Sequence, residues 1–364
     1  MSEILAPCGA MESLTAAVNA GADAVYLGEE YFSARKNADN FTAEQLCDAV
    51  RFCHYSGVKV YVTLNTLVFD REIPLLAKAI ENCAKADVDA FIVQDMGVAR
   101  LARQIVPEIP LHASTQMTVN SPEGAIMAKE LGFTRVVLGR ELSLAQIKAI
   151  TESCDIETEL FVHGALCVCI SGQCYMSSVL GGRSGNRGLC AQPCRLDFTS
   201  GDRHNVLSLK DLSLTEKLPE LAKAGITSFK IEGRMKRPEY VAGAVNACRV
   251  ALDGGTPDLI SLKNVFSRSG FTSGYFDDDF KNMQGVRTKD DVTSATSKVL
   301  SAMKQYYHKP FRRFPADITV NVKSGQPVSY KLSACGVSSS AVGDIPEKAV
   351  NRAVTAEYLE NQCS

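Results

Sequence analysis

Five of the chain's thirteen cysteines, Cys167, Cys169, Cys174, Cys190 and Cys194, fall in one glycine-punctuated run, ELFVHGALCVCISGQCYMSSVLGGRSGNRGLCAQPCR, from Glu159 to Arg195. Such crowding has few chemical causes: a disulfide framework, a zinc site, an iron–sulfur cluster, or one reactive thiol with chance neighbours. The opening MSEILAPCGAM lacks the basic-then-apolar pattern of a secretory signal, and no run approaches the roughly 18 apolar residues of a membrane helix. The chain therefore reads as cytoplasmic and not membrane-bound. In that compartment clustered cysteines hold metal or do redox chemistry more often than they form structural disulfides.

Spacing narrows the choice. Cys167 and Cys174 are seven positions apart, Cys190 follows sixteen later, and Cys194 lies four further on across Pro193. A structural zinc site draws on two close pairs, and only the second pair fits. Irregular spacing on a long glycine-containing loop suits the wide tetrahedral ligand positions of a cubane cluster better. On spacing alone a cluster, a zinc ion and unliganded thiols all stay open. Cys169 reads as a small buried residue pointing away from its neighbours.

His163, four residues before Cys167, makes a thiolate–imidazole dyad of protease type conceivable. Its bland alternative is a hydrogen bond to the loop backbone. No His-Glu-x-x-His zinc signature and no Gly-x-Ser-x-Gly elbow occurs.

The elements that must position these residues alternate regularly. Short apolar strands are expected at 4–6, 24–27, 60–64, 90–93, 111–114, 135–138, 158–162 and 228–231. Helical-period segments separate them, one capped by Thr42 and another by Ser143, and a last helix runs over 239–252. Eight strands alternating with helices over about 250 residues is the count of an α/β fold of (β/α)8 TIM-like barrel type. No glycine-rich dinucleotide fingerprint follows the first strand. The expected organisation is a barrel over 1–255 carrying the Cys-rich loop 163–195. A smaller, partly β C-terminal region over 256–364 has strands near 317–322 and 328–332, and it reads as the start of a further domain.

Chemistry in such a barrel sits at the C-terminal ends of the strands. There the sequence puts Cys8, Glu29, Arg35, Asn65, Gln94, Asp95, Gln116, Arg140, Glu141, His163, Glu232 and Arg234. With both signs of charge, that face could hold a small anion or a flipped base. Glu232 is the best-placed acid or base, with a salt bridge to Arg234 or Lys230 as its bland alternative. Arg183 and Arg187, in the GGRSGNRG loop, and Arg234 suit phosphate contact. Lys236 and Arg237 stand at a helix start, where the dipole disfavours cations, and hint at an anionic partner. His112 reads as a satisfied interior histidine. Cys8, Cys47, Cys53, Cys83, Cys154 and Cys248 read as core. At 46% hydrophobic and 22% charged residues, with a formal charge of −2, the composition is that of an ordinary soluble globular protein. It argues against bulk electrostatic binding to nucleic acid but leaves a local basic patch open.

The run Glu159-x-Phe161-x-x-Gly164-Ala165-Leu166-Cys167, followed by Gly172-x-Cys174-x-Met176-Ser177, resembles the signature of peptidase family U-32, the collagenase-like proteases. LAPCGAMESLTAAVNAGADAVYLG, SLKDLSL and FKIEGRMKRPEYV look like it too, so the likeness covers residues 1 to about 280. The segment GDIPEKAVNRAVTAEYLENQ is similar to the start of an extra domain in long members. The resemblance implies a [4Fe–4S] cluster on Cys167, Cys174, Cys190 and Cys194. It also implies RNA base hydroxylation, in the long members of a 23S ribosomal RNA cytidine, with prephenate as oxygen source. Arg140 or Arg234 could then clamp a prephenate carboxylate, and an accessory protein or an oligomer could complete the site. Cys/His or metal-dependent peptidase activity, and a non-catalytic iron–sulfur scaffold, are the alternatives.

Overall fold

The computed structural model describes residues 2–35, 38–170, 173–311, 314–348 and 355–363. Its strands are β1 (Glu3–Pro7), β2 (Ala24–Leu27), β3 (Lys59–Leu64), β4 (Ala90–Val93), β5 (Leu111–Ala113), β6 (Arg135–Val137), β7 (Glu157–Ala165), β8 (Asp211–Ser213), β9 (Ser228–Ile231), β10 (Phe271–Thr272), β11 (Ala316–Asn321), β12 (Ser329–Ala334) and β13 (Val337–Val342). β1 through β7 pair in parallel in chain order. β9 then lies between β7 and β1, with Ser228 facing both Glu159 and Glu3, and this closes an eight-stranded parallel barrel. The (β/α)8 expectation holds, and three of the eight strands have the expected bounds.

The helices form for local reasons and dock by their apolar faces. Thr42 accepts the Gln45 N–H and Gln45 reaches back, so Ala43–Tyr55 begins with a capping box and buries Leu46, Ala49, Val50 and Cys53. Asp95 caps Met96–Ile105 through two N–H groups, and Ser143 caps Leu144–Ser153. Helix Pro238–Leu252 is buried on more than its barrel-facing side. Leu259–Val265 and Ser297–Lys304 pack over it, and Gly243 leaves room for the Met303 sulfur. Residues past 255 consequently belong to the barrel unit, which extends to Phe311, beyond the composition change near residue 255.

Inside the barrel, the end opposite the site is filled by an ion network. Arg135 bonds Glu3 at 2.7 Å, Glu157 at 2.8 Å and Glu159 at 3.3 Å, and Lys230 bonds Glu159 at 2.6 Å. Tyr61 donates to Glu3, and His112 stacks edge-on to Tyr61 at 4.8 Å. Buried charges are tolerated there because each has an opposite partner. Lys230 is thereby taken away from Glu232.

Two short strands lie outside the barrel order. β8 pairs antiparallel with the projecting end of β7 (His163 opposite Ser213), where the β7–β9 register shifts between Phe161 and His163; β10 pairs with β8. The second unit, Arg312–Ser364, is a three-stranded antiparallel sheet, β11–β12–β13, with helix Ala356–Cys363. Among the described residues no helix is long and apolar enough to cross a membrane.

Candidate functional site at the C-terminal mouth of the barrel

The residue after β9 sets the electrostatics of the mouth. The Glu232 carboxylate receives Arg35 Nη2 at 3.1 Å on one oxygen and has Arg140 Nη2 at 3.9 Å from the other. Burial alone would push this carboxyl up. Arg35, Arg140 and Arg234 outweigh burial and hold it at about 2. Arg35, in turn, is raised above its ordinary value, first by Glu232. Glu232 is therefore a fixed anion at neutral pH, and its ion pairs are with Arg35 and Arg140 instead of the expected Arg234 or Lys230.

Each arginine has its own support. Arg140 donates to the Ala165 carbonyl at 2.6 Å and lies 4.2 Å above the Phe161 ring, while its buried Nε has no partner. Arg234 is buried and donates to the hydroxyls of Ser33 (2.6 Å) and Thr63 (3.0 Å). Burial first, then Arg35, lowers it to about 10. Asn65 Oδ1 accepts the Ala34 N–H, and Gln116 leaves a buried Oε1 unpaired. Gly164 and Gly233 permit this crowding. A Cβ at Gly164, whose φ is +115°, would stand 2.7 Å from the Glu232 carbonyl oxygen.

Of the other strand-end residues, Glu29 is buried with one oxygen unpaired, and burial raises its carboxyl to about 6. Its contact with Asn82 turns it toward helix Ile73–Lys85. Asp95 spends its carboxylate on the helix cap and on the Val68 N–H.

The cysteine stretch folds across this mouth as a short helix, Met176–Gly181, and two single 3-10 turns. Gly172 of the signature lies outside the described residues. Arg187 ties the loop down: it bonds both Glu72 oxygens (2.5 and 3.0 Å) and the Leu67 carbonyl, and lies 4.6 Å above Phe69. Gln94 reaches the Asn186 carbonyl, Gln173 reaches Thr118, and Arg195 bonds Ser208 and the Leu166 and Leu209 carbonyls. Arg187 is thus an anchor, with three hydrogen bonds holding the loop. Arg183 is exposed, and its guanidinium has no hydrogen-bond or ion-pair partner among the described residues.

The four candidate ligands share one neighbourhood. The Cys194 thiol is raised by burial and, against Arg195, by Cys167, Cys190 and Cys174. Cys167 also lies near enough to Arg35 for their charges to interact. Cys190 Sγ accepts the Gln192 N–H at 3.4 Å and the Ser177 hydroxyl at 3.7 Å. The charges of Cys167, Cys190 and Cys174 thus reach the Cys194 thiol, and a cationic metal centre held among the four would offset them. Among the described residues no three His, Cys, Asp or Glu side chains converge as chelation of a metal ion requires. Four cysteine thiols are the donor set that a cubane takes. Cys169 is half-buried, not wholly buried as expected.

His163 is buried away from the thiols. Its Nδ1 meets Ser213 Oγ at 3.3 Å, its Nε2 has no partner, and its ring lies against Phe271 and Tyr240. Burial lowers it to about 4, so it is neutral at physiological pH. It forms no dyad with Cys167. Ser213 was not foreseen, because β8 is three residues long and reads as loop.

With the geometry in view, the relatives are informative. Over 284 residues the chain is 44% identical to a 23S rRNA 5-hydroxycytidine synthase of Escherichia coli, covering 75% of this chain and 42% of that protein. Over 270 residues it is 38% identical to a tRNA hydroxylation protein of Bacillus subtilis, covering 70% of this chain and 64% of that one. A collagenase of Porphyromonas gingivalis is 36% identical over 299 residues, covering 75% and 71%. The chain thus spans about two fifths and two thirds of the length of the two hydroxylation relatives. The Peptidase family U32 model matches residues 9–284, which take in the whole barrel mouth and the cysteine loop, and the chain belongs to that family.

Proposed function

We propose that the chain is a cytoplasmic RNA base hydroxylation enzyme that holds a [4Fe–4S] cluster on Cys167, Cys174, Cys190 and Cys194 and takes prephenate as oxygen source. A 23S ribosomal RNA cytidine is the favoured target. The observation that carries this reading is the gathering of Cys167, Cys174 and Cys190 within charge range of Cys194, with Cys167 also within charge range of Arg35. The two hydroxylation relatives support the RNA substrate. When bound, such a cluster supplies one-electron redox chemistry next to the barrel mouth.

The chain's own residues do the rest. Glu232 aligns Arg35 and Arg140 and stays ionised, so its part is to position the guanidinium groups, not to carry a proton. Three cations against one carboxylate leave a net positive mouth, which matches a dicarboxylate such as prephenate. Arg140, with its unpaired Nε, and Arg234, bonded only to hydroxyls, are the groups with capacity to spare.

A Cys/His peptidase is disfavoured by one observation: His163 is neutral, walled in by Phe271 and Tyr240, and bonded to Ser213. Iron and acid-labile sulfide content of anaerobically purified protein tests the proposal. About four irons per chain, lost in Cys190→Ala, are expected. One zinc or no metal in the wild-type protein would sink it.

A further inference from the structure

Beyond the arginines of the mouth lies a second group of cations that makes no ion pair with Glu232. The loop after β9 carries Glu232 and Arg234 into the mouth and Lys236 to its other side. There the Lys236 ammonium sits 2.8 Å from the centre of the Phe266 ring. Arg287 approaches the same ring centre to 4.4 Å and Arg268 to 5.3 Å. Cation–π contact of this kind does not cancel the repulsion among three cations on one ring.

One carboxylate is ion-paired within the group: Asp211, buried on β8, bonded to Arg268. Its second oxygen, Oδ2, is buried and has no hydrogen-bond partner, and the fully buried Ser267 hydroxyl beside Arg268 has none either. Lys236 does not take that free oxygen. Neither Lys236 nor Arg287 has a carboxylate within ion-pair distance among the described residues. Burial first, then Arg268 and Arg287, lower Lys236 to about 7 against the opposing pull of Asp211 and Glu232. The fold thus holds together three cations with countercharge for one, half-open at Lys236 and exposed at Arg287. Arg195, one residue after the candidate ligand Cys194, adds its charge from the other side, close enough to feel Arg268.

We propose that Lys236, Arg268 and Arg287, gathered on Phe266, form a phosphate-binding subsite for the sugar–phosphate backbone of an RNA substrate, next to the base held at the barrel mouth. This rests on the RNA reading above and adds to it the place where the strand runs: over the β9 loop and the segment 266–287. A row of cations ending at an exposed arginine suits a polyanion that passes by, where a small dianion would need a closed pocket. Phosphate contacts position the strand and carry no base preference.

The test is binding of a labelled single-stranded RNA of mixed sequence to the anaerobically purified full chain, by fluorescence anisotropy across a KCl series. It compares wild type with Lys236→Gln, Arg287→Gln and the double variant. Each single change is expected to weaken binding severalfold. The double variant should lower the slope of log affinity against log salt by about 1.4, near 0.7 per lost phosphate contact on single strands. Arg287→Glu, at an exposed position, should weaken binding further while leaving the thermal midpoint in place. It serves as the check if Lys236→Gln folds poorly. Wild-type protein that binds RNA with variants of equal affinity and slope would overturn the subsite and leave the RNA reading standing. Wild-type protein that binds no RNA even at low salt would overturn both.

Discussion

Replacing Glu232 with Gln separates an electrostatic role from a proton-carrying one. The side chain keeps its shape and can still accept from Arg35, but the charge that Arg35, Arg140 and Arg234 surround is gone. A carboxyl held at about 2 in the fold, against an ordinary 4.5, is favoured by roughly 2.5 pH units, or about 3 kcal/mol. The sign follows from the lowered value. The contribution is fully present above about pH 4.5, and it is lost as the pH falls toward 2. Urea unfolding at pH 7 should therefore show the variant about 2–3 kcal/mol less stable, with part of the charge effect returned by the more exposed Arg35. Near pH 3 the gap should shrink to about half. The surplus of positive charge predicts a second effect: a dicarboxylate should stabilise the variant more than the wild type, read as the larger rise in melting temperature. Equal stability at pH 7, or a gap that ignores pH, would refute the reasoning.

Other perturbations follow from the same geometry. Arg187→Ala removes the two bonds to Glu72 and the contact with Phe69, so the cysteine loop should be cut by protease several times faster while barrel stability falls by only about 1 kcal/mol. His163 is lowered to about 4, so its neutral form contributes stability that is present above about pH 6.5 and lost as the pH falls toward 4. His163→Phe should flatten that part of the stability–pH curve and leave RNA hydroxylation in place. Gly164→Ala puts a Cβ 2.7 Å from the Glu232 carbonyl oxygen at φ +115°, and urea titration should show a loss of about 2–3 kcal/mol.

The barrel was legible because its elements are short, regular and punctuated by capping residues. Thr42 and Ser143 mark ends that the structure keeps, and β2, β4 and β9 have the bounds their apolar runs imply. The mouth residues were legible because a strand's last residues must open on that face. Their partners were not. Glu232 is 197 positions from Arg35 and 92 from Arg140, distances across which no local pattern speaks. The strands β8 and β10 escaped because two or three residues carry no periodicity, and with them went the true neighbours of His163. β13, VSSSAV, is short of apolar residues and exposed along its length, so it reads as loop although its pairing with β12 is regular. Arg187 looked free because glycines surround it; Glu72, which claims it, stands in a different loop.

The most direct measurement is mass spectrometry of nucleosides from ribosomal and transfer RNA of cells that lack their own hydroxylation proteins, expressing either this chain or its Cys190→Ser variant. A pyrimidine nucleoside with one added oxygen is expected in the first RNA and none in the second. Unmodified RNA from cells whose wild-type protein carries its iron, or modification that persists in the variant, would contradict it.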